Sequence, residues 1–175
     1  NPFPKDGKLA DAISPLTAFG FDVDKLKIAA GRAYKDAAGN QHGLYRLHCA
    51  HCHGVTGGGD GPTAAFLNPY PRDYRQGVFK YKSTYGAAKP SHDDLKRVLV
   101  HGVAGTSMPS FRTLPDNEIE ALVEYVRYLS VRGETEIRLI EYLAAEGEMP
   151  GSISEIAGGF PLSVDDEGIP EEEPE

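Results

Sequence analysis

The feature that most constrains this chain is the run Cys-Ala-His-Cys-His at residues 49–53. This run holds both of the chain's 2 cysteines, so no disulfide can tie it to another part of the protein. Taken alone, the pair is compatible with a local disulfide, a redox dithiol or half of a zinc site. A zinc site would need histidines as its remaining ligands, and a redox dithiol has no need of His53.

The histidine directly after the second cysteine makes this run the attachment signature of a c-type haem. In that chemistry, Cys49 and Cys52 form thioether links to the porphyrin, and His53 supplies one axial nitrogen to the iron. We therefore predict one covalent haem c. The 20 Gly and 13 Pro among 175 residues agree with this, because a loop-rich chain can fold around a cofactor that supplies part of the core.

The sixth position of the iron has few candidate ligands in this sequence. Met108 lies in a Gly-Thr-Ser-Met-Pro-Ser-Phe stretch at residues 105–111, where a thioether has little core to fill. Because His/Met ligation is a standard haem c arrangement, we predict Met108 as the second axial ligand, with His101 as the alternative. Met149, beside Pro150, is interpreted as a linker residue. The other histidines are expected at the surface or pointing outward: His42, His48, His51 and His92.

Two further stretches invite other functions. The glycine-rich residues 54–62 are not followed by Lys-Ser/Thr, which excludes a phosphate-binding loop and leaves close passage beside a macrocycle as the better explanation. Aromatic and basic residues alternate over 71–82, a pattern also found in nucleic-acid-binding proteins. Haem explains it better, since the ring needs aromatic walls and its propionates need charged donors. We expect no nucleic acid partner and place four side chains near the propionates or ring edge: Arg72, Tyr74, Tyr81 and Arg112.

Hydrophobic periodicity predicts a helical protein. Residues 41–48 should form a helix that runs into the haem motif, after a short helix within 22–34. A capping box at Ser91 and Asp94 should open a second helix that ends near Gly102. A third helix should follow Pro115, and a separate last helix should cover about 134–146. The apolar positions expected to face the core are Leu95, Val98, Leu99, Ile119, Leu122, Val123, Val126 and Leu129.

The charge distribution suggests a division of the chain. Residues 1–130 carry 16 Lys and Arg against 13 Asp and Glu, whereas residues 131–175 carry 2 against 13. We divide the chain into an N-terminal extension (1–39), a haem domain (40–131), an additional helix (132–146) and an acidic, flexible tail (147–175). The segment 72–97 holds 7 Lys and Arg against 3 Asp, and the tail could lie on this face, contact a partner or remain solvated.

The order of these elements resembles a class I cytochrome c, a monohaem protein with His/Met ligation, over about residues 40–130. The resemblance implies an all-α, class I cytochrome c fold around one haem, with N- and C-terminal extensions. It also implies that the carbonyl of Pro62 accepts a hydrogen bond from the imidazole of His53. The family's usual glycine, eight residues before the first cysteine, is replaced by Gln41, with Gly43 two residues later. The first and last helices could therefore cross at a shifted or looser position.

In the same resemblance, Tyr45 matches an aromatic residue that packs on the C-terminal helix, where Tyr125 and Tyr128 fit the receiving positions. The segment 71–80 resembles bacterial members that occur as subunits or domains of respiratory oxidoreductase complexes. The implied function is electron transfer rather than catalysis, with redox proteins as partners and a periplasmic or otherwise extracytoplasmic location. The chain has no membrane-spanning run, and its start at Asn1 is expected for a mature form without its signal peptide. The alternative is a haem enzyme or gas sensor with an open or labile distal site.

Overall fold

The computed structural model describes residues 16–17 and 20–146. The predicted acidic tail and Met149 lie outside the described residues. Two compact units divide the chain, residues 1–134 and residues 135–175. The first unit holds the haem motif and the elements described below as far as residue 134. Of the second unit, the structure describes residues 135–146, which are helical throughout.

The described N-terminal segment is a short helix followed by a hairpin. The side chain of Asp22 caps helix α1 (Val23–Lys27) by accepting hydrogen bonds from two backbone amides, and a π-helical turn (Ile28–Arg32) follows. Strands β1 (Tyr34–Lys35) and β2 (Gln41–His42) pair antiparallel, and residues 36–40 connect them. The predicted helix over 41–48 therefore begins later than expected, because its first two residues pair with β1.

The haem motif occupies two short helices that meet at Cys49. Helix α2 (Leu44–His48) ends there and helix α3 (Ala50–His53) begins, since Cys49 has a non-helical backbone (φ −122°, ψ −38°). The ring of Tyr45 contacts the ring of Tyr125 with centroids 4.9 Å apart, and Tyr125 contacts Tyr128 at 5.7 Å. This confirms the aromatic contact between the haem motif and the C-terminal helix.

Two longer helices complete the fold. Helix α4 (His92–His101) starts at the predicted capping box, where Ser91 Oγ accepts from Asp94 N and the Asp94 carboxylate accepts from Ser91 N. Helix α5 (Asp116–Glu146) is continuous, so the separate helix predicted at 132–146 is instead a continuation of the preceding one. None of the helices described combines the length and hydropathy that crossing a membrane requires.

Helix α5 continues through Gly133, although glycine usually weakens a helix. A Cβ atom at this position would lie 2.5 Å from the Cα atom of Arg75. Because glycine has no side chain, the backbone at Arg75, which follows the glycine-rich loop, can lie directly against α5 at this position. The unfavourable helix propensity of Gly133 is offset by this tertiary contact.

The core lies along one face of α5, as the periodicity predicts. The residues that bury this face include Ala121, Leu122 and Val123, each 0% exposed, and α4 contributes Leu95 and Leu99. The N-terminal segment covers another part of α5: Phe21 contacts Tyr128 edge to face at 6.1 Å. Two polar contacts accompany it, from Asp22 N to Glu124 Oε1 (2.8 Å) and from Lys25 Nζ to Glu120 Oε2 (3.6 Å).

Gly43 lies where the π-helical turn approaches the start of α2. A Cβ atom here would overlap the backbone carbonyl of Ala29 and crowd Ala30. Gly43, the glycine near the family's usual position, thus allows the N-terminal segment to lie in close contact with the start of α2. The departure at Gln41 has a corresponding structural role, because Gln41 belongs to β2.

We expect Gly43→Ala to lower the free energy of unfolding by about 1–3 kcal/mol, because the added methyl group displaces a backbone carbonyl in a packed region. The matched control is Gly31→Ala, since a Cβ atom at Gly31 meets nothing within 4 Å. Urea unfolding followed by circular dichroism measures both changes. Equal unfolding midpoints for the two variants would contradict the proposed close approach.

Candidate haem site

The haem motif opens onto a pocket of about 250 Å³ in the first unit. Both cysteines, His53 and Met108 line it, although they come from α2–α3 and from the loop between α4 and α5. Most of the remaining wall is apolar or aromatic: Leu67, Pro69, Tyr70, Pro71, Tyr74, Phe79, Tyr81, Leu95, Val98, Leu99, Val103, Phe111, Val123 and Val126. An apolar pocket with two thiols, an imidazole and a thioether matches the donor set of haem c.

The imidazole of His53 is oriented by a backbone carbonyl. Its Nδ1 lies 3.1 Å from the carbonyl oxygen of Arg72, and because a carbonyl only accepts, Nδ1 carries the proton. The lone pair is then on Nε2, the atom available to a metal. Burial lowers the pKa of His53, which favours the neutral imidazole that ligation requires.

The glycine-rich loop is hydrogen-bonded along the backbone of α3. The amide of Gly59 donates to the carbonyl of His53 (2.9 Å), Gly61 donates to Cys52 (3.1 Å) and Thr63 donates to His51 (3.0 Å). A Cβ atom at Gly61 would crowd the carbonyls of Ala50 and His51. The loop needs glycine because its backbone lies directly against the haem motif.

This arrangement corrects the expectation for Pro62. The backbone amides of the loop donate to the carbonyl groups of α3. Pro62 is exposed and is not among the described residues lining the pocket. The carbonyl that accepts from His53 Nδ1 belongs to Arg72 instead. The expected type of interaction is present, but a segment further along the chain provides it.

Met108 is held by hydrogen bonds within its own loop. Its amide donates to Thr106 Oγ1 (3.1 Å), and its carbonyl accepts from Val103 N (3.2 Å). The loop is tied to α4 by Phe111 N, which donates to the carbonyl of Leu99 (2.9 Å). The half-buried side chain packs on the core and lines the pocket. The alternative ligand, His101, is exposed and is not among the described residues of the pocket wall.

The two cysteines differ in environment. Cys49 is buried and Cys52 is half-buried, with its Sγ 3.3 Å from Thr63 Oγ1. Burial, reinforced by Cys52, raises the pKa of the Cys49 thiol to about 12. A redox-active dithiol requires the opposite shift, because the thiolate is the nucleophile. The environment thus argues against the dithiol interpretation of residues 49–53.

The four side chains assigned to the propionates or ring edge fall in different places. Arg72 and Tyr81 are exposed and line the pocket. Tyr74 is buried and its ring stacks on His53 at 4.6 Å, so it lies against the proximal imidazole. Arg112 is exposed and is not among the described residues of the wall. The structure therefore does not bring Arg112 together with the other three.

The remaining histidines also depart from expectation. His48 and His51 both line the pocket, and the His48 ring contacts Phe111 at 5.8 Å. His42 and His92 are half-buried in contacts with acids, with His42 Nε2 2.8 Å from Asp36 and His92 Nε2 2.9 Å from Glu120. Short-range motif reading missed these contacts because each acidic partner is brought close by folding.

Several wall residues were not predicted. Phe79 stands in the aromatic and basic segment, where its spacing from Tyr74 gave a usable signal, and the two rings are nearly parallel at 6.0 Å. Val103 and Thr106 gave no signal, because they lie in a loop without periodicity. The backbone carbonyl of Arg72 could not be found from residue types at all.

The structure also changes the meaning of the basic segment 72–97. Four of its cations lie in ion pairs with acids: Arg75 with Asp73, Lys89 with Glu134, Lys96 with Asp116 and Glu120, and Arg97 with Asp94. Arg72 and Lys80 lie at the pocket wall, where none of the described lining residues is acidic. Lys82 is not among the described residues of the wall, and its Nζ donates to the backbone carbonyls of Gly86 and Ala88.

Comparison with known proteins agrees with the site. The sequence model of the cytochrome c family, described as "Cytochrome c", matches residues 37–130, more than half of the chain. The protein belongs to the cytochrome c family, whose members bind haem c covalently and transfer electrons through it. The matched region contains the Cys-x-x-Cys-His run and the whole pocket wall. The predicted resemblance and helical fold class are confirmed.

One solved structure shows a more distant similarity. It is a chain of the "Kuenenia stuttgartiensis reducing HAO-like protein complex Kustc0457/Kustc0458", with 25% sequence identity and a TM-score of 0.48. The alignment covers 70% of this chain and 50% of that chain, so the protein spans about half the length of that neighbour. The search of the curated proteins found no match.

We expect Tyr45→Phe to lower the free energy of unfolding by about 1–2 kcal/mol, because it leaves a buried acceptor without its donor. The hydroxyl of Tyr45 donates to the carbonyl of Gly54 (3.0 Å), directly after the haem motif. Tyr85→Phe is the matched control, since Tyr85 is 97% exposed. Denaturant unfolding compares the two, and an equal loss in both would contradict a structural role for the Tyr45 hydroxyl.

Proposed function

We propose that this protein is an electron-transfer cytochrome with one haem c, bound through Cys49 and Cys52 and ligated by His53 and Met108. The observation that carries the proposal is that all four side chains line one pocket while His53 Nδ1 is already hydrogen-bonded. When bound, the haem supplies a one-electron couple. With protein ligands on both sides of the iron, no position remains for a substrate, so the protein acts as a carrier and not as an enzyme.

The protein's own residues set the conditions for electron transfer. The apolar wall excludes water, which limits the reorganisation that accompanies a change of charge. A thioether ligand favours the reduced iron relative to a second histidine and raises the reduction potential. Arg72 and Tyr81 line the pocket, and we propose that they would contact the propionates of a bound haem.

We further propose a periplasmic or otherwise extracytoplasmic location and a redox protein as partner, within a larger membrane or periplasmic oxidoreductase complex of a respiratory chain. Covalent haem attachment in this family supports the location. The pocket wall supports the partner, because Arg72 and Lys80 lie beside the exposed rings of Tyr70 and Tyr81. Such a rim suits a transient complex with an acidic surface, which steers association without requiring a large interface. Copurification at low salt would identify the partner, and its release at moderate salt is expected.

The second candidate function is a haem enzyme or gas sensor in which the Met108 side is open or labile. One observation favours keeping it: Met108 is held by a loop whose hydrogen bonds are mostly internal. The two functions differ in the accessibility of the iron to an external ligand.

We expect the reduced protein to show an unchanged visible spectrum when carbon monoxide is added, because Met108 occupies the distal position. The measurement is an absorption spectrum before and after equilibration with the gas, near neutral pH. Rapid, complete formation of a carbon monoxide adduct by the native protein would instead favour the sensor or enzyme. An absence of haem c bands would refute both functions.

We expect Met108→Ala to abolish the sulfur-to-iron charge-transfer band and to lower the reduction potential, because the thioether stabilises the reduced iron. Met149→Ala is the matched control, as it alters the other of the chain's 2 methionines. Absorption spectroscopy and a redox titration measure both effects. An unchanged band and potential would show that another group, with His101 the first to test, ligates the iron.

A further inference from the structure

A three-residue stretch of backbone and side chain holds the proximal imidazole in two directions. The carbonyl of Arg72 accepts from His53 Nδ1 at 3.1 Å. Two residues later, the ring of Tyr74 stacks on the face of the same imidazole, with centroids 4.6 Å apart and planes at 26°. One contact resists rotation of the imidazole within its plane, and the other resists tilting.

The stretch is itself shaped by an ion pair. Asp73 Oδ1 accepts from the amide of Arg75 (2.9 Å) and from its Nε (3.0 Å), and Oδ2 accepts from its Nη2 (2.8 Å). These bonds close a tight turn directly between Arg72 and the following segment. The side chain of Asp73 remains 28% exposed and that of Arg75 42%, so their value lies in local geometry more than in net Coulomb energy.

Backbone contacts support the same turn from both sides. The amide of Tyr74 donates to the carbonyl of Gly57 (2.8 Å), which fixes the stretch to the glycine-rich loop. A Cβ atom at Gly59 would lie 2.6 Å from the carbonyl oxygen of Pro71, and one at Gly133 would lie 2.5 Å from Arg75 Cα. Gly59 and Gly133 therefore allow the turn to lie close to the glycine-rich loop and to α5.

We propose that Tyr74 and the Asp73–Arg75 ion pair are positioning residues for His53, which hold the Arg72 carbonyl on Nδ1 and thereby set the reduction potential of the haem. The inference rests on the proposed function, in which His53 ligates the iron. A hydrogen bond from Nδ1 makes the imidazole a stronger donor, and a stronger donor stabilises the oxidised iron. Loosening the turn weakens this bond and raises the potential.

A simple charge effect makes a different prediction. Loss of the negative charge of Asp73 would raise the potential, whereas loss of the positive charge of Arg75 would lower it. Loss of positioning raises the potential in both cases. Arg75→Gln therefore separates the two explanations, and the double variant Asp73→Asn/Arg75→Gln removes the turn without changing the net charge.

The experiment uses the haem-loaded protein in the native form and in these two variants. The matched control is Asp24→Asn/Lys27→Gln, which removes an exposed ion pair of equal length, 2.8 Å, in α1 and away from the pocket wall. The readouts are the reduction potential at low and high salt and the hydrogen exchange rate of the His53 Nδ1 proton in the reduced protein by nuclear magnetic resonance. Both report on the imidazole, which a merely structural ion pair would not affect.

We expect a higher potential and several-fold faster Nδ1 proton exchange in both variants, at low and high salt, with the control unchanged. Tyr74→Leu should produce the same pair of changes, and Tyr74→Phe should restore native exchange because it keeps the stacked ring. A lower potential in Arg75→Gln with native exchange would overturn the inference in favour of a charge effect. Native values of both quantities in the double variant would also overturn it.

Failure of the proposed function would be recognised separately. If His53 does not ligate the iron, His53→Ala retains the native potential and the native low-spin spectrum. The positioning inference then fails together with the function. If His53→Ala loses the native spectrum while the Asp73 and Arg75 variants leave both readouts unchanged, only the positioning inference fails. Should Tyr74→Leu not fold, the partly exposed Asp73–Arg75 pair still decides the question.

Discussion

The contact between Tyr45 and Tyr125, with ring centroids 4.9 Å apart, joins the haem motif to α5, the longest of the described helices. The Tyr45 hydroxyl reaches the carbonyl of Gly54, so the same residue secures both ends of the short helical motif. Burial raises the pKa of Tyr45, which keeps the hydroxyl protonated as a donor. A motif of two helices with only a few residues each could not hold its shape without such tertiary support.

The pocket arises from chain segments that have little regular structure of their own. The amides of the glycine-rich loop donate hydrogen bonds to the carbonyls of α3. In the loop between α4 and α5, backbone groups form hydrogen bonds within the loop, through Thr106 and Met108. Both segments are therefore shaped by hydrogen bonds and not by helix propensity. This explains how a loop-rich chain can present fixed side chains to a flat cofactor, and why glycine recurs where backbone meets backbone.

Charge is distributed in a way that a residue count conceals. Within α5, the buried carboxylate of Glu124 contacts Arg127 (2.7 Å). Glu120 of α5 contacts Lys96 (2.8 Å) and His92 (2.9 Å) of α4, and these two contacts link the helices. Hydrogen bonding to Lys96 lowers the pKa of Glu120, so the link is stable at neutral pH and weakens only as acid protonates the carboxylate. Ion pairs with acids hold Arg75, Lys89, Lys96 and Arg97 of the basic segment 72–97, whereas Arg72 and Lys80 lie at the pocket wall.

The sequence by itself determined the covalent chemistry, the helical class and the core face of α5. These depend on short-range patterns: the Cys-x-x-Cys-His spacing, the capping box at Ser91 and the periodicity from Ile119 to Leu129. It also indicated that Tyr45 packs on the last helix. Tertiary structure decided which carbonyl accepts a hydrogen bond from His53. Every residue has a backbone carbonyl, so residue types do not distinguish Arg72 from Pro62, and only folding brings the Arg72 oxygen within 3.1 Å of Nδ1. It likewise decided that Gln41 belongs to a strand, that α5 passes through Gly133 and that Tyr74 stacks on the imidazole. The contacts at Gly133 and Tyr74 depend on neighbours distant in sequence, about which local propensity carries no information.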